Sequence, residues 1–99
     1  MTFSEAIQQN KPVLVDFFAT WCGPCKMMPP ILQEVKQKLG DKVMIIKIDV
    51  DKNPAAAAAY QVQSVPTLIL FKNGQPIWQQ AGVASANNLI QMITPHCNA

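Results

Sequence analysis

Residues 13–27 read VLVDFFATWCGPCKM, and the fold turns on how this stretch divides. Val13 to Phe18 is almost continuously apolar, β-branched or aromatic, the pattern of a strand covered on both faces of a sheet. Asp16 interrupts it with a charge. Downstream, Met28, Ile31, Leu32, Val35 and Leu39 recur at spacings of three and four, which predicts a helix over 26–39 that Gly40 stops. Pro29 and Pro30 are expected to kink that helix. Cys22 and Cys25 therefore fall in a strand-to-helix junction, with Gly23 and Pro24 between them.

Working outward, Thr2 and Glu5 have the spacing of a capping box, and Phe3, Ala6 and Ile7 give a short first helix an apolar face before Asn10 to Pro12 end it. Val43 to Ile48 is a second apolar strand, again with one charge inside it, Lys47, and Asp49 to Asn53 turns the chain. Pro54 opens an alanine-rich helix that runs to Tyr60. Thr67 to Phe71 is a third strand, Asn73-Gly74 a hairpin turn, and Pro76 to Ala81 a fourth strand that tolerates its proline only near the start. Ser85 caps a last helix in which Leu89, Ile90 and Ile93 face inward. This order predicts one α/β domain over 1–99, with 94–99 a short tail. Its parallel strand pair is extended by antiparallel strands, with helices on both faces.

Composition narrows the function. At 99 residues and 49% hydrophobic, the chain has the size and core of one compact domain. Its net charge is +2, and its basic residues are scattered lysines, so neither a nucleic-acid nor a membrane partner is expected. No basic leader or long apolar run is visible, which points to a cytoplasmic protein. Three cysteines in a reducing compartment make a close pair catalytic, redox-active or metal-binding more often than structural.

The junction supplies the chemistry. A sulfur at the entrance of a helix sits beside unpaired backbone N–H groups and the positive end of the helix dipole, and both stabilise a thiolate. That makes Cys22 the nucleophile for thiol–disulfide exchange, and Cys25, one turn further on the same face, the resolving thiol. Pro24 stiffens the loop and Gly23 leaves room for a bulky disulfide. Two alternatives are weaker. A zinc site would need His96 and Cys97 as further ligands, in poor chelate geometry, and a purely structural disulfide across so short a loop gains little chain entropy.

Strand alternation places Leu14, Asp16 and Phe18 on one face and Val13, Val15 and Phe17 on the other, so Asp16 is expected inside. Lys47 poses the same question on the neighbouring strand, and the simplest answer pairs the two. A desolvated carboxylate with a loose lysine partner titrates near neutrality, as a general base for the Cys25 proton must.

TWCGPCKM, the upstream VDFFA, the later KIDVDKNP and SVPTLILFKNG, and Gly82 together closely resemble the thioredoxin family, over Phe3 to about Ile93. The resemblance implies a three-layer α/β/α sandwich in which a mixed sheet of about four strands is flanked by four helices. It implies a protein disulfide reductase cycling between dithiol and disulfide through a mixed disulfide. Cys22 and Cys25 match the family's nucleophile and resolving thiol, Asp16 its buried acid, and Lys47 the nearby lysine. Pro66 matches its cis-proline, beside which the Val65 backbone can pair with an extended substrate. Trp21, Gly23, Pro24, Val65, Pro66, Gly82 and Val83 would form a shallow apolar surface for protein disulfide substrates. Electrons would come from a thioredoxin reductase, with no metal or other cofactor.

Two departures stand out. The family usually has a further strand before the first helix, so the edge of strand 43–48 is expected to be bare and to allow weak self-association of an otherwise monomeric protein. Phe18 replaces a frequent tryptophan. Cys97, in the tail, is expected to be an inert thiol.

Overall fold

The computed structural model describes residues 2–97. Met1, Asn98 and Ala99, the last two belonging to the expected tail, lie outside the described residues. The chain runs α1 (Phe3–Ile7), β1 (Val13–Phe18), a 3-10 turn (Pro24–Met27), α2 (Met28–Leu39), a second such turn (Gly40–Lys42), β2 (Met44–Asp49), α3 (Pro54–Ala59), β3 (Thr67–Lys72), β4 (Gln75–Ala81), α4 (Ala86–Ile93) and a last 3-10 turn (Thr94–His96).

Among the described residues the sheet has four strands, in the order β2-β1-β3-β4. β1 and β2 are parallel, whereas β3 runs antiparallel to both β1 and β4. The alternation of β1 separates two cores. Leu14, with Leu68 and Leu70 of β3, packs against Met28, Leu32 and Val35 of α2 and Leu89 and Ile93 of α4. Val13, Val15 and Phe17, with Ile69 and Phe71, pack on the other face against Ile7 of α1, with Phe3, Ala56 and Tyr60 at the margin. The result is the expected three-layer mixed α/β sandwich.

Local signals account for the element ends. Thr2 and Glu5 form the capping box, each side chain accepting from the other's backbone N–H. Ser85 accepts from the Asn88 N–H at 3.1 Å and starts α4. At the hairpin, Asn73 and Gly74 have φ of 54° and 80°, the twist that suits a two-residue connection between twisted strands. The Gly74 N–H donates to the Ile7 carbonyl at 2.9 Å and so ties the hairpin to α1. Pro76 lies beside a register irregularity at the start of the edge strand β4, where a missing N–H costs no ladder bond.

Several expectations need correction. The helix expected over 26–39 is a 3-10 turn followed by an α-helix that begins only at Met28. Pro29 and Pro30 accordingly occupy its first turn, where no intrahelical N–H partner is required, and do not kink a continuous helix. β2 is shifted by one residue from 43–48, since Val43 is fully buried ahead of the strand. Within the expected tail, Lys72 Nζ donates to the His96 carbonyl at 2.7 Å, and Cys97 packs against the α2/α4 core.

Candidate active site

The β1 strand ends at Phe18, and the chain then turns through Ala19, Cys22 and Cys25, which form a small buried cluster with Phe18, Val50 and Val65 at its margin. Cys22 and Cys25 are joined as a disulfide with Cα atoms 5.4 Å apart. The Cys25 N–H donates to Cys22 Sγ at 3.1 Å, so the first sulfur sits on a backbone donor of the turn that opens toward α2. Cys22 Sγ also lies 3.6 Å from the Val65 carbonyl oxygen, and the Val65–Pro66 peptide is cis. Both cysteines are nearly buried, at 4% and 6% exposure, so local hydrogen bonding distinguishes them and exposure does not.

Around them the expected surface is partly assembled. Trp21 is 71% exposed, Gly23 and Pro24 are exposed, and Val65 is half-buried. Gly23 and Gly82 have open space where a Cβ would stand, and Gly82 has φ of +93°, a conformation that favours glycine. The Gly82 N–H donates to the Pro66 carbonyl at 2.8 Å, holding the loop after β4 against the loop before β3. Val83 is half-buried, and it packs against the margin of the core between α2, α4 and the sheet.

Two features were missed in the sequence. Trp21 Nε1 donates to Asp51 Oδ2 at 2.9 Å, so an exposed indole is held in place by a carboxylate from the turn after β2. Beneath it lies a groove of about 120 Å³ lined by Trp21, Val50, Val62, Gln63, Ser64 and Val65. The turn composition at 49–53 carries no signal for this role, because any short acidic residue there reads as ordinary turn chemistry.

Asp16 is 2% exposed, and its Oδ1 is buried without a hydrogen-bond partner. It lies on the face of β1 between Leu14, in the α2/α4 core, and Phe18, which packs against the cysteine cluster. Burial raises its pKa from the ordinary 3.8 to about 6, and the positive charge of Lys47 pulls it partly back. Lys47 stands directly across from Asp16 in the β1–β2 register, yet its side chain is exposed. The expected direct pairing is thus replaced by a charge acting from the sheet edge. The long lysine stem reaches water more cheaply than it follows the carboxylate inward.

His96 and Cys97 lie at the end of the chain, with the Cys97 thiol 3.7 Å from both the Lys42 and the Ile93 carbonyl oxygens. Among the described residues no group of three or more potential ligands gathers around a metal position, and no helix is long and apolar enough to cross a membrane.

Similarity to known proteins agrees with this geometry. The thioredoxin family profile matches residues 1–95. A thioredoxin-like protein of Synechocystis is 58% identical over 92% of this chain and 88% of its own length. The rice protein named chloroplastic thioredoxin Y is 54% identical over 93% of this chain, which spans 55% of that protein. A bifunctional thioredoxin reductase/thioredoxin of Mycobacterium leprae is 46% identical over 90% of this chain and 19% of its own length. Among solved structures, a variant thioredoxin from Halobacterium salinarum superposes with a TM-score of 0.86 at 35% identity, covering 97% of this chain and 83% of that one. With a redox-active cysteine pair closed at the end of β1 and a family match across nearly its whole length, this chain belongs to the thioredoxin family of thiol–disulfide oxidoreductases.

Proposed function

We propose that the chain works as a protein disulfide reductase, with Cys22 as nucleophile and Cys25 as resolving thiol. The Cys22 thiolate attacks one sulfur of a substrate disulfide, forming a mixed disulfide and releasing the first substrate thiol. Cys25 gives its proton to Asp16 and attacks Cys22 Sγ; the mixed disulfide breaks, the second substrate thiol leaves, and the Cys22–Cys25 disulfide closes. Two electrons pass to the substrate. The observation that carries this reading is the closed Cys22–Cys25 bond with the Cys25 N–H directed at Cys22 Sγ, because that donor stabilises negative charge on the attacking sulfur.

Asp16 fits the role of base because burial raises its pKa to about 6, close to the pH at which it must exchange protons. Lys47 tunes it from the edge. Trp21, Gly23, Pro24, Val65, Gly82 and Val83 form the docking surface, which the buried cis Pro66 shapes from beneath. An extended substrate segment lies along the Val65 backbone. A thioredoxin reductase restores the dithiol, a partner supported by the relative in which the two activities share one chain. No metal or organic cofactor enters the cycle. The cytoplasm is the compartment we favour, since a reducing pool keeps such a pair turning over.

The test is reduction of insulin disulfides with dithiothreitol as donor. Cys22→Ser should abolish turnover, and Cys25→Ser should accumulate a covalent complex with substrate. Undiminished turnover by Cys22→Ser would overturn the assignment.

A further inference from the structure

Between β2 and α3 the chain reads Asp49-Val50-Asp51-Lys52-Asn53, a turn whose backbone is held mainly through its first residue. Asp49 Oδ1 accepts the Asp51 N–H at 2.9 Å and the Lys52 N–H at 3.4 Å, the turn that a short acidic side chain builds with the backbone two residues on. The Asp49 carbonyl accepts from the Asn53 N–H at 2.9 Å and from Asn53 Nδ2 at 3.0 Å. Val50, between the two aspartates, donates its N–H to the Phe18 carbonyl at 2.9 Å, which fastens the turn to the end of the strand that leads into the cysteines.

Two links run from this turn to the site. Val50 lies at the margin of the cysteine cluster and lines the groove beneath Trp21. Asp51 Oδ2 accepts from Trp21 Nε1 at 2.9 Å. Asp51 is exposed, so the place of its carboxylate is decided by the backbone that carries it, and that backbone is held by the half-buried Asp49. An exposed indole fixed in advance loses less freedom when a partner covers it.

We propose that Asp49 is a positioning residue for the docking of protein disulfides: it fixes the turn from which Asp51 holds Trp21 as the wall of the groove. The inference rests on the reductase reading above, in which Trp21 belongs to the docking surface, and adds a residue that itself touches neither substrate nor sulfur. What the turn requires at position 49 is a short side chain with an acceptor oxygen, and a negative charge is not needed. Asparagine meets that requirement and alanine does not. The Asn53 bonds to the Asp49 carbonyl survive either substitution, so α3 still has its start.

The test compares Asp49→Ala and Asp49→Asn with the unmodified chain in two ways: steady-state reduction of insulin and of a small aromatic disulfide, and NMR of the Trp21 indole proton, assigned by its loss in Trp21→Phe. Asp49→Ala should raise KM for insulin roughly three- to tenfold, the range for loss of about one hydrogen bond, with kcat and reduction of the small disulfide nearly unchanged. Its indole proton should exchange faster and resonate where that of Asp51→Ala does, and Asp49→Asn should restore both properties. In the Asp51→Ala background, Asp49→Ala should add little, since the two residues act in series. In the unmodified chain, the Asp51 and Lys52 amides should be protected from exchange although their turn is exposed, a readout independent of any variant. The indole and amide signals need no turnover, so they judge Asp49 separately from the reductase reading, which falls if the unmodified chain reduces neither disulfide. The role of Asp49 is overturned if those amides exchange as fast as in an unfolded chain, or if Asp49→Ala leaves the indole signal in place. It is equally overturned if Asp49→Ala raises KM for both disulfides alike, if the double variant shows the sum of the single effects, or if Asp49→Asn is as impaired as Asp49→Ala.

Discussion

Replacing Asp16 with asparagine keeps the shape of the side chain and removes its titration, so it isolates what burial of this one carboxylate costs. The carboxyl ionises near 3.8 when exposed and near 6 in the fold. Between those values the folded state binds more protons than the unfolded one, so stability falls as pH rises through the window. The protonated group imposes no such penalty below about pH 4, and the full penalty is present above about pH 6 to 7. A displacement of this size corresponds to about 2–3 kcal/mol, a substantial share of the stability of a small domain. Asp16→Asn should therefore be about 2–3 kcal/mol more stable relative to the unmodified chain at pH 8 than at pH 4. Urea unfolding of both proteins with Cys22–Cys25 oxidised measures this, as a difference in midpoint of roughly 1–3 M. The same substitution should slow resolution of the mixed disulfide by tenfold or more near neutral pH, because the amide cannot accept the Cys25 proton. Identical pH dependence of stability in the two proteins would refute the account of Asp16 as a desolvated, poorly compensated charge.

Lys47→Gln removes the charge that opposes the rise at Asp16, so the carboxyl should titrate above 6; a pH profile of single-turnover disulfide reduction should show its acid-side limb, where protonation of Asp16 removes the base, moved to higher pH. Asp51→Ala frees the Trp21 indole and should raise KM for protein disulfides severalfold while leaving reduction of a small disulfide nearly unchanged, a split that steady-state kinetics with insulin and with a small aromatic disulfide resolves. Gly74→Ala should cost about 1–3 kcal/mol by thermal unfolding, since φ is +80° and the added Cβ would stand 2.5 Å from Gln8 Nε2, a clash relieved only by moving that side chain.

The periodicities of the sequence determined the layers. Two-residue alternation along Val13 to Phe18 assigns Leu14 and Val15 to opposite cores, and three- and four-residue spacing picks out the buried face of α2, because burial of each side chain is a local consequence of backbone geometry. The position of the cysteines between a strand and a helical turn, the caps at Thr2 and Ser85, and the Asn73-Gly74 turn are local in the same sense. Tertiary structure alone decided the rest. Nothing in the sequence couples Trp21 to Asp51, thirty residues away, or leaves Asp16 Oδ1 unpartnered while Lys47 stays in water. Each depends on which surfaces the packed layers bring within hydrogen-bond range. The two prolines of α2 show the boundary between these levels: their missing N–H groups are written in the sequence, but only the packing of the preceding turn decided that they stand where no partner is required.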